Sequence, residues 1–211
     1  MDNALKRDGH DYNAMLLSGK GEVSAVPDIA VLRLGVQTTG ENLQAIQAEN
    51  AKTTQSVLQA LYQLGVTEIQ TVQYDINKLI EYEEGKQIDK GYSVRNILEI
   101  RTDNMGLVGT IIDSAVGSGA NVVEFINFEV SDTDRYYLQA LNLAIANAYE
   151  KAVSIAERLR LQINPAPRRI TENSTPPIPF RAINLREGAF ATPIEAGTNQ
   201  IEASVTVEFT Y

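Results

Sequence analysis

The 211-residue sequence contains no cysteine. That absence excludes thiol nucleophiles, thiolate metal sites and disulfides together, and it agrees with an oxidising compartment without requiring one. Histidine is almost as scarce. The single one, His10, lies in a charged N-terminal stretch with no rigid element to hold it against a serine, so a nucleophile–base pair is not expected. Basic charge is also in deficit: 18 Lys and Arg face 27 Asp and Glu, a net charge of −9. Phosphate binding draws its affinity from Lys and Arg, so nucleic acid is not an expected partner. No basic amphipathic helix of the membrane-surface kind is present either. No run of about 18 apolar residues occurs, so no transmembrane segment is expected. Residues 1–15 carry charges throughout and lack the apolar centre of a signal peptide; they read as a disordered tail or as a tag-like or processed remnant.

What is present suits a soluble globular fold, with 44% hydrophobic and 21% charged residues. A chain of this size buries roughly 70% of its unfolded surface and needs no metal or disulfide for stability. Leu16–Val26 alternates around Leu17, Gly19, Gly21 and Val23 and stops at Pro27-Asp28. Ile29–Thr39 alternates next, and the Pro-Asp turn between the two stretches predicts a hairpin. Thr38 with Glu41 has capping-box spacing for a helix running to Leu64 before Gly65, with Leu43, Ile46, Val57, Leu61 and Leu64 on its apolar face. Thr71–Ile80 reads as a strand marked on one side by Val72, Tyr74 and Ile76, with Leu79. The polar stretch Glu81–Gly91 reads as a hairpin loop, and Tyr92–Thr102 as the returning strand.

A shorter helix is expected over Asp103–Val116, ended by Gly117-Ser118-Gly119, and then a strand over Val122–Val130. Ser131 and Asp134 suggest the cap of a long helix over residues 133–161. That helix has alanine at every fourth position: Ala140, Ala144, Ala148, Ala152 and Ala156. A row of small side chains admits another backbone closely. The partner is either the protein's own sheet or a second subunit, and the five alanines are therefore candidate oligomer contacts. A short strand is expected around Arg168–Thr171. Six of the seven prolines fall between Pro165 and Pro193, marking a long irregular connection over residues 174–199. Strict alternation over Ile201–Tyr211 predicts the final strand.

The order strand–helix–strand, hairpin, strand–helix–strand over residues 29–130 is the βαββαβ order of a ferredoxin-like core with an antiparallel sheet. The expected fold is thus α+β. That core is extended by an N-terminal hairpin strand, the long Ala-rich helix and C-terminal strands, within one domain over residues 16–211.

Candidate chemistry is sparse. Glu81, Glu83, Glu84 and Asp89 form the densest acidic cluster, but they lack the spacing and central glycine of a calcium loop. Gly19-Lys20-Gly21 lacks the third glycine and following helix of a dinucleotide site, and Gly117–Asn121 is accounted for by helix termination. No catalytic residue, metal site or cofactor is expected. An enzyme would have to work through carboxylates or tyrosines alone. Arg168, Arg169, Arg181 and Arg186 make the Pro-rich region locally basic, either for solubility or to meet an acidic face of a neighbouring subunit.

Several stretches resemble the SIMPL (DUF541) family. They begin with Ser18-Gly19-Lys20-Gly21-Glu22-Val23 before Pro27-Asp28-Ile29-Ala30, and continue with Gly35-Val36, Asn50, Ala60-Leu61 and Leu64-Gly65-Val66. Further on are Ile69-Gln70-Thr71, Gly91-Tyr92 with Asn96, and Asp113 before Gly119-Ala120-Asn121. Phe128 with Ser131-Asp132, the Ala-rich helix, and Pro193-Ile194-Glu195 with Gly197 follow. The likeness spans residues 16–211. It implies an α+β fold, an extracytoplasmic location, a tendency to form large homo-oligomers and an association with oxidative-stress tolerance, and it transfers no catalytic residue.

The expectation is therefore a non-catalytic, oligomer-forming cell-envelope protein. The alternative is a binding module for a peptide or apolar small molecule, with the Pro-rich loop as a lid. Phe180, Arg181, Ile183, Leu185, Arg186 and Phe190 would form that loop's binding surface.

Overall fold

The computed structural model describes residues 13–83, 85–173, 194 and 196–211. The chain is α+β, with strands β1 (Ala14–Ala25), β2 (Ile29–Gly40), β3 (Glu68–Glu83), β4 (Lys86–Thr102), β5 (Val122–Glu129), β6 (Arg169–Glu172) and β7 (Asn199–Thr210). Its α-helices are α1 (Leu43–Gln63), α2 (Val108–Gly117) and α3 (Thr133–Leu159), with one 3-10 turn over Met105–Leu107. Two compact units result. One holds β2–β5 with α1 and α2, and the other holds β1, α3, β6 and β7.

In the first unit the sheet order is β3-β4-β2-β5 and each neighbouring pair is antiparallel. Alternation along β2 points Ala30, Leu32, Leu34 and Val36 to one face. They pack there with Leu98 and Ile100 of β4, Val57 and Leu61 of α1, and Val108, Ile111 and Ala115 of α2. Asn42, not Thr38, caps α1: its side chain accepts from the Ala45 amide at 3.1 Å. Thr38 belongs to β2 and donates its hydroxyl to the Ile46 carbonyl. At the far end Gly65 takes φ +82°, the left-handed conformation expected of a helix stop.

The expected hairpin of the first two strands does not form. β1 and β2 lie in different sheets, and Pro27-Asp28 lets the chain leave one unit for the other. The Asp28 amide donates to the Glu129 carbonyl at 3.0 Å, and its carboxylate accepts from the Ser131 amide at 2.7 Å and from the Ser131 hydroxyl. Ser131 is therefore not a helix cap. Asp132 caps α3 instead, accepting from the Arg135 amide at 3.1 Å. α3 ends at Arg160, which adopts φ +53°.

The second unit is a three-stranded sheet in the order β1-β7-β6. β7 buries Ile201, Ala203, Val205, Val207 and Phe209 on one face. The five alanines of α3 are buried too, at most 4% exposed, and Ala140, Ala144 and Ala148 lie against Gly19 and Gly21 of β1. Hydrogen bonds reinforce the approach: the Lys151 ammonium donates to the Ser18 carbonyl at 2.8 Å, and the Lys20 amide to the Asn147 side chain at 3.3 Å. Phe209 also meets the Tyr149 ring at a centroid distance of 6.0 Å.

Candidate functional site

The expected hairpin loop over Glu81–Gly91 is a continuation of two strands. β3 and β4 run on together until Glu83 pairs with Lys86. Cross-strand ion pairs hold this polar ribbon: Lys78 meets Asp89 at 2.8 Å and Lys90 meets Glu81 at 2.9 Å. Lys78 also lies over the Tyr92 ring. The Lys78 contact holds the Asp89 carboxyl below its ordinary range and pushes the Lys78 ammonium up. Gly91, at φ +89°, carries the register shift between the two strands. A Cβ there would stand 2.4 Å from the Gly40 carbonyl oxygen, so glycine is required.

β3 is an outer strand of its sheet, so one row of its backbone groups has no strand beside it. Alternation places Tyr74, Ile76, Ile80 and Tyr82 on one face of this edge, and all four are exposed, Tyr82 by 72%. The Tyr74 hydroxyl accepts from the Gln47 side chain of α1 at 3.3 Å. Leu79 lies on the opposite side, while Val72 falls in a bulge where β3 gains a residue over β4. Sequence reading marked Val72, Tyr74 and Ile76 but could not place them at an edge.

Turned away from α1 and α2, the other face of the sheet is ionic. Arg33 bonds Glu99 at 2.7 Å, Arg95 bonds Glu124 at 2.8 Å and Arg101 bonds Glu129 at 2.9 Å. Gln70 donates to the second oxygen of Glu99, and Arg33 stacks 5.0 Å from the Phe125 ring centre. The Arg33 hydrogen bond holds the Glu99 carboxyl below its ordinary range. Each arginine is matched to a carboxylate, so this face resembles a neutralised ladder more than an anion site.

The remaining sequence candidates scatter. The Ala140, Ala144, Ala148, Ala152 and Ala156 row is buried within the chain, with Gly19 and Gly21 of β1 close against Ala140, Ala144 and Ala148. The last strand, β7, lies between β1 and β6. Arg168 pairs with Glu208 at 3.3 Å and Arg169 is exposed. Glu81 and Asp89 are engaged by lysines; among the described residues no group of three or more His, Cys, Asp or Glu gathers to hold a metal. The Asn121 side chain bonds both the amide and the carbonyl of Gln37, at 2.8 Å each. His10, Glu84, Phe180, Arg181, Ile183, Leu185, Arg186 and Phe190 lie outside the described residues. Among the described residues, no helix is long and apolar enough to cross a membrane.

Residues 16–209 match the profile of the SIMPL family, described as "Protein of unknown function (DUF541)". The chain belongs to the SIMPL family. Among the relatives of this SIMPL protein is the 26 kDa periplasmic immunogenic protein of Brucella abortus (strain S19). It is 29% identical over 207 residues, covering 92% of this chain and 82% of the relative. Its counterpart in Brucella melitensis is 28% identical over the same length. "Uncharacterized protein YggE" of Escherichia coli (strain K12) is 26% identical over 153 residues, 72% of this chain and 62% of that protein. The SIMPL match takes in both units, from within β1 to within β7.

Proposed function

We propose that this SIMPL protein is a non-catalytic, extracytoplasmic envelope protein that works by self-assembly, with the outer edge of β3 as the joining surface. The carrying observation is a 16-residue edge strand with four exposed apolar side chains on one face. Such an edge is a template for another strand, and proteins that remain single blunt it with charge, proline or cover. Lys78, the lysine within the exposed part of β3, is already engaged by Asp89. The absence of cysteine and the presence of a single histidine support a role that rests on surface shape rather than on bond chemistry. The periplasmic designation of the Brucella relatives supports the location. An association with stress tolerance belongs to the same proposal.

The test is size-exclusion chromatography with light scattering on the full chain, alongside a variant carrying Tyr74→Lys and Ile76→Lys. We expect a defined oligomer that the double variant reduces to smaller species. A wild-type protein that stays monomeric at high concentration would defeat the proposal, as would a double variant with unchanged mass.

A further inference from the structure

We propose that Asn50, Thr54 and Asn96 hold one resident water between α1 and the four-stranded sheet. Asn50 is fully buried on α1, and its amide nitrogen donates to the Val36 carbonyl at 3.0 Å and to the Val94 carbonyl at 3.2 Å. Both amide protons are thereby used, which fixes the orientation of the group and turns its oxygen away from those two acceptors. That oxygen has no hydrogen-bond partner within the protein. Neither does the hydroxyl of Thr54 nor the side-chain oxygen of Asn96, and all three atoms are shielded from bulk solvent.

Chain geometry brings the three to one place. Thr54 follows Asn50 by one helical turn, on the same side of α1. Val36, whose carbonyl Asn50 holds, is the cross-strand partner of Asn96, and directly opposed residues present their side chains on the same face. For Val36 that is the face packed beneath α1. Val94, the second carbonyl held by Asn50, lies two residues from Asn96 along β4.

The donor count selects the ligand. Two amide oxygens can only accept, and the Thr54 hydroxyl has a single proton to give. Direct bonding among the three therefore leaves one amide oxygen without a donor. A water donates to Asn50 and Asn96 and accepts from Thr54, which satisfies every group with three bonds, the usual complement of a buried water. A calcium ion would need six or more oxygens, and a phosphate or sulfate would need donors that two amide oxygens cannot provide.

A high-resolution crystal structure of the full chain decides the matter. We expect one solvent peak within hydrogen-bond reach of all three oxygens. Space without density, or a direct Thr54-to-amide contact that leaves no room for solvent, would overturn the proposal. Thr54→Val, which keeps the shape and removes the hydroxyl, is expected to lose or displace the peak and lower the unfolding midpoint, whereas Thr54→Ser retains both. A Thr54→Val protein with an unchanged peak and midpoint would also overturn it. Should the variants fail to fold, the wild-type density alone settles the question.

Discussion

Gly19 and Gly21 set how closely β1 approaches α3. A Cβ on Gly19 would stand 1.9 Å from the Ala144 carbonyl oxygen, and one on Gly21 would stand 2.0 Å from that of Ala140. Neither helix nor strand can yield by a rotamer change, because the obstructing atoms are backbone. Gly19→Ala or Gly21→Ala should therefore cost about 1–3 kcal/mol, read as a lower urea midpoint. Gly117 is the control: it closes α2, has open space around it, and its replacement by alanine should be neutral or gain about 0.5 kcal/mol. Titration adds a second residue-scale expectation. Asp28, held down first by its bond to the Ser131 hydroxyl, Asp89, held by Lys78, and Glu99, held by Arg33, all have lowered folded-state values. Their contribution is complete above the unfolded carboxylate range of about 3.9–4.3 and is lost as pH falls through the lowered values. Lys78 behaves in the opposite sense. Its raised value means a contribution present below about pH 10.4 and lost as pH climbs beyond it. Urea midpoints should thus hold steady near neutrality and drop on strong acidification. Asp28→Asn combined with Glu99→Gln should flatten the acid limb.

Among the elements, α3 shows most directly how sequence became packing. Ala148 has no exposed surface, whereas Ala146 faces solvent two residues away. Ala148→Leu should cost about 1–3 kcal/mol by overpacking against β1, while Ala146→Leu should stay within about 0.5 kcal/mol of the parent. The alanine row was legible because its four-residue spacing is a local property of the chain. What covers it was not, since Gly19 lies more than a hundred residues upstream. The same divide separates β7 from β1. Alternation along Ile201–Phe209 announced a strand with one buried face, but the local Pro-Asp turn suggested that β1 would pair with β2. β1 instead joins β7, and in that place Gly19 and Gly21 lie against Ala140, Ala144 and Ala148 of α3. The β3–β4 ribbon was misread for a different reason. Glu81–Gly91 has the polarity and the two glycines of a loop, yet ion pairs and a backbone ladder hold it without a core. Exposure of Tyr74 and Ile76 was the least legible feature of all, because alternation reports two faces but not which of them anything covers.

At the scale of the whole molecule, the proposed assembly rests on backbone pairing and apolar contact along β3 rather than on attraction between charges. Raising the salt concentration should therefore leave the oligomer mass unchanged, and sulfate should stabilise it, whereas an assembly held by acidic-to-basic contacts would come apart. Light scattering across a salt series checks this directly. Such an assembly would use only the unit that contains β3, which is woven from nearly continuous chain. Its companion is built otherwise: β7, which sits between β1 and β6, is synthesised after both of them. Until that middle strand emerges from the ribosome, its two neighbours have nothing to pair with, and α3 has only part of the surface it must cover. Completion of this sheet accordingly waits on a pairing between segments far apart in sequence, which makes it slower than the local pairings of the other unit.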